Sequence, residues 1–194
     1  KTDLLDLRWM DCMELMRQTP DDYYDLAICD PPYGIGNSGK IGSDKCGKVT
    51  NYVKKDWDKV APNSEYFNEL WRVSKNRIIW GANYYPNHLS GSMGWIFWNK
   101  KASADFSDGE LAYTSYDRAF KMFTFAWMGM LQGDMKNKEH RIHPTQKPIK
   151  LYDWLLRNYA KPGDTILDTH LGSASIAIAC HYAGHHLTGC ELDQ

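Results

Sequence analysis

Short apolar runs, separated by amphipathic segments, dominate the hydrophobic pattern of this chain. The runs have the length and the β-branched or aromatic composition of buried strands, and they occupy residues 3–11, 25–29, 77–81, 95–98, 119–127, 165–168 and 185–191. Apolar residues at helical spacing lie between them, around residues 14–19, after Ser64, from Pro148 onward and over residues 176–183. Strands that alternate with helices predict an α/β domain with a doubly wound, mostly parallel sheet.

The strand over residues 25–29 ends at the turn Asp30-Pro31-Pro32-Tyr33. Consecutive prolines lack N–H donors and have a fixed φ, so they end the strand and hold a carboxylate and an aromatic ring on a stiff backbone. Open α/β sheets bind ligands at the carboxyl ends of their strands. The turn therefore predicts a site for a planar group that carries an amino group. An ordinary proline-rich turn without a ligand is the alternative interpretation.

A second turn, Gly172-Ser173-Ala174-Ser175, connects the strand that ends at Asp168 to the helix over residues 176–183. Gly184 suits the end of that helix, and the next strand ends at Glu191. A strand, a glycine turn, a helix, a strand and a final acid occur in this order in nucleotide-type pockets, where the acid binds the ribose hydroxyls. The turn is not Gly-x-Gly-x-x-Gly, which disfavours a nucleotide-binding oxidoreductase.

Two polar segments interrupt the pattern. Residues 34–56 are rich in Gly, Ser, Asn and Lys and predict a long mobile loop, either a solvated loop or a lid. Its candidate phosphate contacts are Lys40, Lys45, Lys48, Lys54 and Lys55. Residues 129–142 form a second basic patch, with Lys136, Lys138 and Arg141. His140 and His143 lack the further ligands of a metal site, so no metal is expected.

Composition limits the class of protein. The chain has 194 residues and a net charge of −1, which fits one domain and does not announce a nucleic-acid binder, so any DNA contact must use a local patch. Five widely spaced cysteines argue for a reducing compartment rather than for disulfides. The longest apolar stretch, around residues 122–131, is too short for a membrane span. The chain opens at Lys1 without a methionine, which suggests a trimmed segment.

Three motifs in one order carry a resemblance to a known family. They are Asp30-Pro31-Pro32-Tyr33, then His143-Pro144-Thr145-Gln146-Lys147-Pro148, then Leu167-Asp168 through Gly172-Ser173 to Glu191. This set resembles the β-group of S-adenosylmethionine-dependent amino DNA methyltransferases, in which the catalytic motif precedes the cofactor motif. The resemblance covers nearly the whole chain, and the combination is specific although the single motifs are not. It implies a Rossmann-like methyltransferase fold with a seven-stranded-type sheet and a circularly permuted motif order.

The resemblance also implies one domain over residues 1–194, with the mobile loop at 34–56 and a small target-recognition segment at 129–142. It assigns catalysis to Asp30, Pro31, Pro32 and Tyr33: Asp30 and the Pro31 carbonyl accept hydrogen bonds from the target amino group, and Tyr33 stacks on the base. The implied cofactor-binding residues are Asp11, Cys12, Asp30, His143, Thr145, Lys147, Asp168, Gly172, Ser173, Ala174 and Glu191. Among them Asp11 and Cys12 meet the adenine of the cofactor.

The remaining cofactor roles are implied in the same way. Thr145 and Lys147 match positions that hold the methionine carboxylate, and Glu191 matches the acid on the ribose hydroxyls. The family usually has Pro-Phe and Gly-Ser-Gly-Thr where this chain has Thr169-His170 and Gly172-Ser173-Ala174-Ser175. Both are departures from the family pattern.

The function that the resemblance implies is methyl transfer from S-adenosylmethionine to the N6 atom of a flipped-out adenine in double-stranded DNA. Asp at the head of the motif favours adenine, whereas cytosine-N4 enzymes more often carry Ser. A cytosine-N4 methyltransferase is therefore the near alternative, and a catalytically silent DNA-binding or partner subunit is the alternative of another class. The expected setting is the cytoplasm of a bacterium or a phage-infected host, with or without a restriction enzyme, and a homodimer is one expected state.

Overall fold

The computed structural model describes residues 3–36, 58–102, 107–128, 131–143 and 145–192, and the backbone alone of residues 40–41 and 50–51. The strands are β1 (Leu5–Trp9), β2 (Tyr24–Cys29), β3 (Lys40–Ile41), β4 (Thr50–Asn51), β5 (Ser74–Trp80), β6 (Trp95–Asn99), β7 (Gly109–Thr114), β8 (Lys121–Thr124), β9 (Trp127–Met128), β10 (Leu131–Gln132), β11 (Thr165–Asp168) and β12 (His186–Glu191). The helices are α1 (Cys12–Arg17), α2 (Ser64–Val73), α3 (Ile149–Tyr159) and α4 (Ser175–Ala183). A 3₁₀ turn, Ala82–Tyr84, follows β5.

Within the described residues, one sheet of eight strands has the order β1-β12-β11-β2-β5-β7-β6-β8. The first five strands of this order, β1, β12, β11, β2 and β5, are mutually parallel. β7 runs antiparallel to both of its neighbours, and β8 pairs parallel to β6 at the edge. The carboxyl ends of β1, β12, β11, β2 and β5 therefore lie along one edge of the sheet, which is where such folds bind ligands.

Both faces of the sheet are covered, because successive side chains of a strand point to opposite faces. In β2, Leu26 and Ile28 face a core that is shared with α3 and α4. Ala27 and Cys29 face a second core, shared with α1 and α2. Burial on both faces explains why the sequence of β2 is continuously apolar rather than alternating. The predicted doubly wound, mostly parallel α/β sheet is confirmed, and the circular permutation stays a prediction.

Two predictions about the second half of the sheet are wrong. The prediction of a seven-stranded-type sheet omits β7. The structure places this strand between β5 and β6, which makes eight strands among the described residues. The single strand predicted over residues 119–127 is split into β8 and β9. β8 ends where its partner β6 ends, at the Asn99–Thr124 pair, and Trp127–Met128 pairs instead with β10 in a separate two-stranded sheet.

Among the described residues, no helix combines the length and the apolar character that a membrane crossing requires.

Arg72 connects the two helices that cover one face of the sheet. Its guanidinium donates to the carbonyls of Met16 (2.7 Å) and Thr19 (2.8 Å) at the end of α1. It also pairs with the carboxylates of Glu69 and Asp21, each at 2.7 Å. A planar group with five N–H donors can serve all four acceptors together, whereas a lysine ammonium cannot.

We predict that Arg72→Lys lowers the free energy of unfolding by about 1–3 kcal/mol, because bonds to the ends of α1 are lost. Urea denaturation of the purified protein measures this change. Arg17→Lys is the matched control, since Arg17 is exposed and pairs only with the exposed Glu65, at 2.6 Å among the described residues. Its effect should stay within about 0.5 kcal/mol. Equal losses for the two variants would contradict the role of Arg72.

Candidate active site

Four carboxylates lie at the ends of four adjacent parallel strands. Asp11 follows β1, Glu191 ends β12, Asp168 ends β11 and Asp30 follows β2. The Met10 N–H donates to the Glu191 carbonyl at 3.1 Å, which joins the first two strand ends. The structure thus brings the two predicted turns, the one at Asp30 and the one at Gly172, to the same edge of the sheet.

The turn after β2 is held by hydrogen bonds to its backbone. The Tyr85 hydroxyl lies 2.8 Å from the Pro31 carbonyl oxygen and 2.7 Å from that of Pro32, so one O–H is shared between two acceptors. The buried Asp58 carboxylate accepts from the Tyr33 N–H (2.7 Å) and the Gly34 N–H (3.0 Å). Both proline carbonyls and the following peptide groups are therefore fixed by side chains from other parts of the chain.

The Tyr33 ring is enclosed on two sides. It stacks on the Tyr84 ring, with centroids 4.8 Å apart and planes at 17°. Against it lies Gly81, whose φ is +68°; a Cβ atom there would come within 2.2 Å of a Tyr33 ring carbon. Only glycine accepts both this backbone conformation and this approach. The Tyr33 hydroxyl donates to Asp30 Oδ1 at 2.8 Å.

A buried lysine occupies the other oxygen of Asp30. Lys147 Nζ forms an ion pair with Asp30 Oδ2 and a second one, at 3.0 Å, with Glu110 Oε2. Glu110 in turn pairs through Oε1 with Lys100. Each lysine lies over an indole ring, Lys147 over Trp80 at 5.4 Å and Lys100 over Trp98 at 4.9 Å. The charges therefore alternate in sign along the series Asp30, Lys147, Glu110 and Lys100.

Burial and charge oppose one another in this cluster. Burial alone would lower the pKa of Lys147, but Asp30 and Glu110 outweigh it and the pKa lies above its usual value. Burial would raise the pKa of Glu110, but Lys147 and Lys100 hold it well below its usual range. The pKa of Tyr33 is raised by burial and by the neighbouring Asp30 and Glu110. Near neutral pH Lys147 and Glu110 are therefore charged, and Tyr33 is a neutral donor.

The glycine turn contacts the acid at the end of β12. The Gly172 N–H donates to Glu191 Oε2 at 2.8 Å, and φ of Gly172 is +50°. Ala174 also has a left-handed conformation, with φ +54° and ψ 27°, and it precedes α4 without a side-chain cap. A non-glycine residue pays about 1–2 kcal/mol for that conformation. Ala174, which stands where the family usually has glycine, therefore holds a left-handed conformation at a cost in strain.

The residues before α3 divide between the two turns. His143 lies beside the glycine turn, since a Cβ atom on Gly172 would be 3.9 Å from His143 Nδ1, and that nitrogen contacts Thr145 Oγ1 at 3.1 Å. Lys147 points instead towards Asp30. Pro144, which completes this motif in the sequence, lies outside the described residues.

At the end of β1, Asp11 caps α1: its Oδ1 accepts from the N–H groups of Met13 (2.8 Å) and Glu14 (3.3 Å). Burial raises the pKa of the neighbouring Cys12 to about 12, so this thiol stays neutral and is no nucleophile. Asp11 and Cys12 therefore lie at the β1 end of the carboxyl edge of the sheet.

The departure at Thr169-His170 has a structural account. Burial lowers the pKa of His170 to about 4, so the ring is neutral, and it packs edge-to-face on Tyr66 with centroids 5.6 Å apart. Thr169 Oγ1 bonds both the Tyr66 hydroxyl (2.7 Å) and His170 Nδ1 (2.9 Å). His170 therefore fills an aromatic position.

Three of the predicted DNA-contacting residues have described side chains. Lys136 and Lys138 are exposed, whereas Arg141 is half-buried with its guanidinium 4.7 Å from the Trp127 ring centroid. The predictions for the 34–56 loop fall largely outside the described residues, including the side chains of Lys40, Lys45, Lys48, Lys54 and Lys55. The same holds for residues 129 and 130 of the 129–142 segment.

Sequence reasoning missed five residues that the structure places at the site: Glu110, Lys100, Tyr85, Asp58 and Gly81. Glu110 had a visible signal, because an acid inside the β-favouring run of β7 is unusual unless it is paired. Gly81 also had one, as the glycine that ends the predicted strand over residues 77–81. Asp58 had none, since nothing local connects it to Tyr33, 25 residues away.

The fold and this site define a class of α/β enzyme-like domains that bind a ligand at the carboxyl edge of a parallel sheet. A family model described as DNA methylase, of the N6/N4 type, matches residues 71–194, which is more than half of the chain. The chain belongs to the N6/N4 DNA methylase family.

Curated relatives are similar at low identity. The chain is 24% identical over 229 residues to the type II methyltransferase M.HinfI of Haemophilus influenzae, covering 95% of this chain and 64% of that protein. It thus spans less than two thirds of M.HinfI. It is also 24% identical, over 228 residues, to the type II methyltransferase M2.DpnII of Streptococcus pneumoniae, covering 95% of this chain and 83% of that one.

Solved structures support the fold. The structure of M1.HpyAVI in complex with SAM aligns with a TM-score of 0.61 at 17% identity, covering 98% of this chain and 94% of that one. The cytosine-N4-specific PvuII DNA methyltransferase aligns with a TM-score of 0.66 at 10% identity, covering 100% of this chain and 83% of that one. At these identities the likeness concerns the fold alone.

We predict that Gly81→Ala lowers the free energy of unfolding by about 2–5 kcal/mol, since strain of about 1–2 kcal/mol adds to overpacking against Tyr33 of about 1–3 kcal/mol. Gly163→Ala is the matched control, because Gly163 also has positive φ (+88°) but has open space around its Cβ position. For the control, denaturant unfolding should show only the loss in free energy of unfolding that backbone strain causes, about 1–2 kcal/mol. In a Tyr33→Ala background the extra loss at position 81 should disappear; its persistence would refute the contact.

We predict that Asp168 makes stability fall as pH rises. Burial raises its pKa to about 7, above the unfolded value, so the folded protein binds the extra proton between about pH 4 and pH 7. Asp168→Asn removes this proton but keeps an acceptor for the His170 N–H. The stability of the variant relative to the native protein should grow across that window, by about 1.4 kcal/mol for each unit of pKa difference. A difference that is constant with pH would contradict the shift.

Proposed function

We propose that this protein transfers a methyl group from S-adenosylmethionine to the exocyclic N6 of an adenine in double-stranded DNA. The observation that carries the proposal is the meeting of the Asp30-Pro31-Pro32-Tyr33 turn and the acid-rimmed glycine turn at one edge of a methyltransferase-type sheet. Membership in the N6/N4 DNA methylase family supports the class of reaction. M.HinfI and M2.DpnII, which are type II methyltransferases, support a DNA substrate.

The residues at the edge fit S-adenosylmethionine. A ligand that carries a positive charge and two ribose hydroxyls suits the acids Asp11, Asp168 and Glu191, whose strands are adjacent. Among the described residues, a Cβ atom added to Gly172 would meet the His143 ring, at 3.9 Å, and nothing nearer, which leaves space in front of this backbone. We assign the ribose to Glu191, the adenine to Asp11 and Cys12, and the amino-acid end to the His143–Thr145 side of the glycine turn, with Ser173 and Ala174 in its wall.

When bound, S-adenosylmethionine supplies a methyl group that is already activated by its sulfonium charge. The work left to the protein is to position an amine whose lone pair is delocalised into the base. Asp30 Oδ1 and the Pro31 carbonyl accept hydrogen bonds from the two N–H groups of that amine, and these bonds orient its lone pair. Tyr85 fixes the Pro31 carbonyl for this purpose. The flipped base stacks on the Tyr33 ring by taking the place of the exposed Tyr84 ring, which stacks there in this structure, and this stacking is worth about 1–3 kcal/mol.

Adenine is preferred over cytosine because Asp, rather than Ser, begins the catalytic turn. A cytosine-N4 methyltransferase is the second candidate, and the fold shared with the cytosine-N4-specific PvuII enzyme is the observation that favours it. We place target recognition in the 129–142 segment, where the exposed Lys136 and Lys138 suit phosphate contacts. A bacterial or phage-infected cytoplasm is the proposed setting.

We predict that the protein, incubated with S-adenosylmethionine carrying a labelled methyl group and mixed-sequence duplex DNA, yields labelled N6-methyladenine after digestion to nucleosides. N4-methylcytosine as the labelled product would transfer the proposal to the second candidate. Asp30→Asn, which keeps the shape of the side chain but removes its charge, should abolish transfer while calorimetry shows unchanged cofactor affinity. Cofactor binding without transfer by the native protein to any DNA would favour the silent subunit and overturn the proposal.

A further inference from the structure

The Lys147 ammonium has no donor left for another ligand in this structure. Three oxygen atoms match its three hydrogens: Asp30 Oδ2, Glu110 Oε2 at 3.0 Å and the Tyr33 hydroxyl at 3.3 Å. Its side chain is only 3% exposed. To bind the methionine carboxylate, as the family resemblance implies, it would have to break one of these contacts in a buried setting, where an unmatched charge is costly.

The segment before α3 also separates Lys147 from the glycine turn. His143 and Thr145 contact each other beside Gly172, on the side assigned to the amino-acid end of the cofactor. Lys147 points to the catalytic turn and lies over the indole of Trp80, at the end of β5. In the segment before α3, His143 and Thr145 therefore lie beside the glycine turn, whereas Lys147 contacts the catalytic turn.

Resting on the proposed function, we infer that Lys147 is a positioning residue for the catalytic carboxylate of Asp30, and that Glu110, itself held by Lys100, keeps it in place. Lys147 contacts Oδ2 of Asp30 and leaves Oδ1 to a neutral donor, which is the Tyr33 hydroxyl here. Oδ1 is then the oxygen that exchanges this hydroxyl for the target amino group.

Glu110 has two parts in this arrangement. Its Oε2 shares Lys147 with Asp30, which prevents the ammonium from engaging both oxygens of Asp30. The same oxygen lies 3.5 Å from the Tyr33 hydroxyl and is the nearest described alternative acceptor when the amine displaces that hydroxyl. Lys100 neutralises the second oxygen of Glu110 and is seated over Trp98. The four charges sum to zero before the base enters.

The test separates cofactor binding from transfer. Lys147→Met alone leaves two buried carboxylates together and risks unfolding, so the variant of choice is the double change Lys147→Met/Glu110→Gln, which removes one charge of each sign. Calorimetry gives the dissociation constant for S-adenosylmethionine, and single-turnover assays at saturating cofactor and DNA give the transfer rate. We expect the rate to fall by about 100-fold, as for a misplaced catalytic group, with the dissociation constant unchanged.

Lys100 provides the second, milder pair of variants. Lys100→Met should slow transfer by about tenfold, whereas Lys100→Arg, which keeps the ion pair with Glu110 and the contact with the Trp98 ring, should restore the native rate. A general structural role would lower the melting temperature of both variants without separating their rates. Equal rates for the two Lys100 variants at equal stability would overturn the part assigned to Glu110 and Lys100.

The failure of this inference differs from failure of the proposed function. A dissociation constant that rises about tenfold or more in the double variant, with the saturated transfer rate preserved, would make Lys147 a cofactor anchor and overturn the inference alone. Native protein that neither binds S-adenosylmethionine nor transfers its methyl group would overturn the proposed function and the inference with it.

Discussion

Parallel pairing of β2 between β11 and β5 is the constraint on which the rest of the structure depends. It fixes where the backbone leaves the sheet, and the two prolines then fix the direction in which it leaves. Asp168 ends β11 and Gly81 follows β5 at the same edge. The pairing register of the strands therefore determines which residues line the site. Helices on both faces bury the apolar side chains of these strands and leave only the strand ends accessible.

Charge balance is the second organising feature. Four carboxylates at one edge would repel one another and would raise the cost of folding, and the structure answers this differently at each position. Asp11 caps a helix, Glu191 accepts a backbone N–H, Asp30 pairs with Lys147, and Asp168 is buried with a pKa raised to about 7. The pairing of Asp30 brings in distant charged side chains, since Glu110 and Lys100 come from the antiparallel part of the sheet.

Much of this arrangement could be read from the sequence, because it depends on local patterns. The run that became β2 is continuously apolar over residues 26–29, and proline, glycine or acidic residues end or follow β2, β11 and β12. The helices after Ser64 and Pro148 were visible from their spacing. The family motifs then indicated which turns belong together. These features share one property: the residues that determine them are close in the chain.

The features that could not be read are those that depend on contacts between distant residues. Glu110 marks β7 as a strand with a paired acid, but its partners Lys100 and Lys147 cannot be identified from the local sequence. The contacts of Lys147 cannot follow from its motif, because the motif identifies the residue and not its partners. Tyr85 and Asp58 fix the catalytic turn through hydrogen bonds over separations of 53 and 25 residues.

Asp58 has a consequence for how the chain can vary. Its carboxylate binds the N–H groups of Tyr33 and Gly34, and its carbonyl accepts the Gly36 N–H at 2.9 Å. Gly36 and Asp58 are therefore held together at one fixed point. Doubling the number of residues that connect two points fixed in this way costs only about 0.6 kcal/mol of closure entropy. Insertions and deletions there can accumulate during divergence and change what the protein reaches, while the geometry of the adjoining catalytic turn is inherited unchanged.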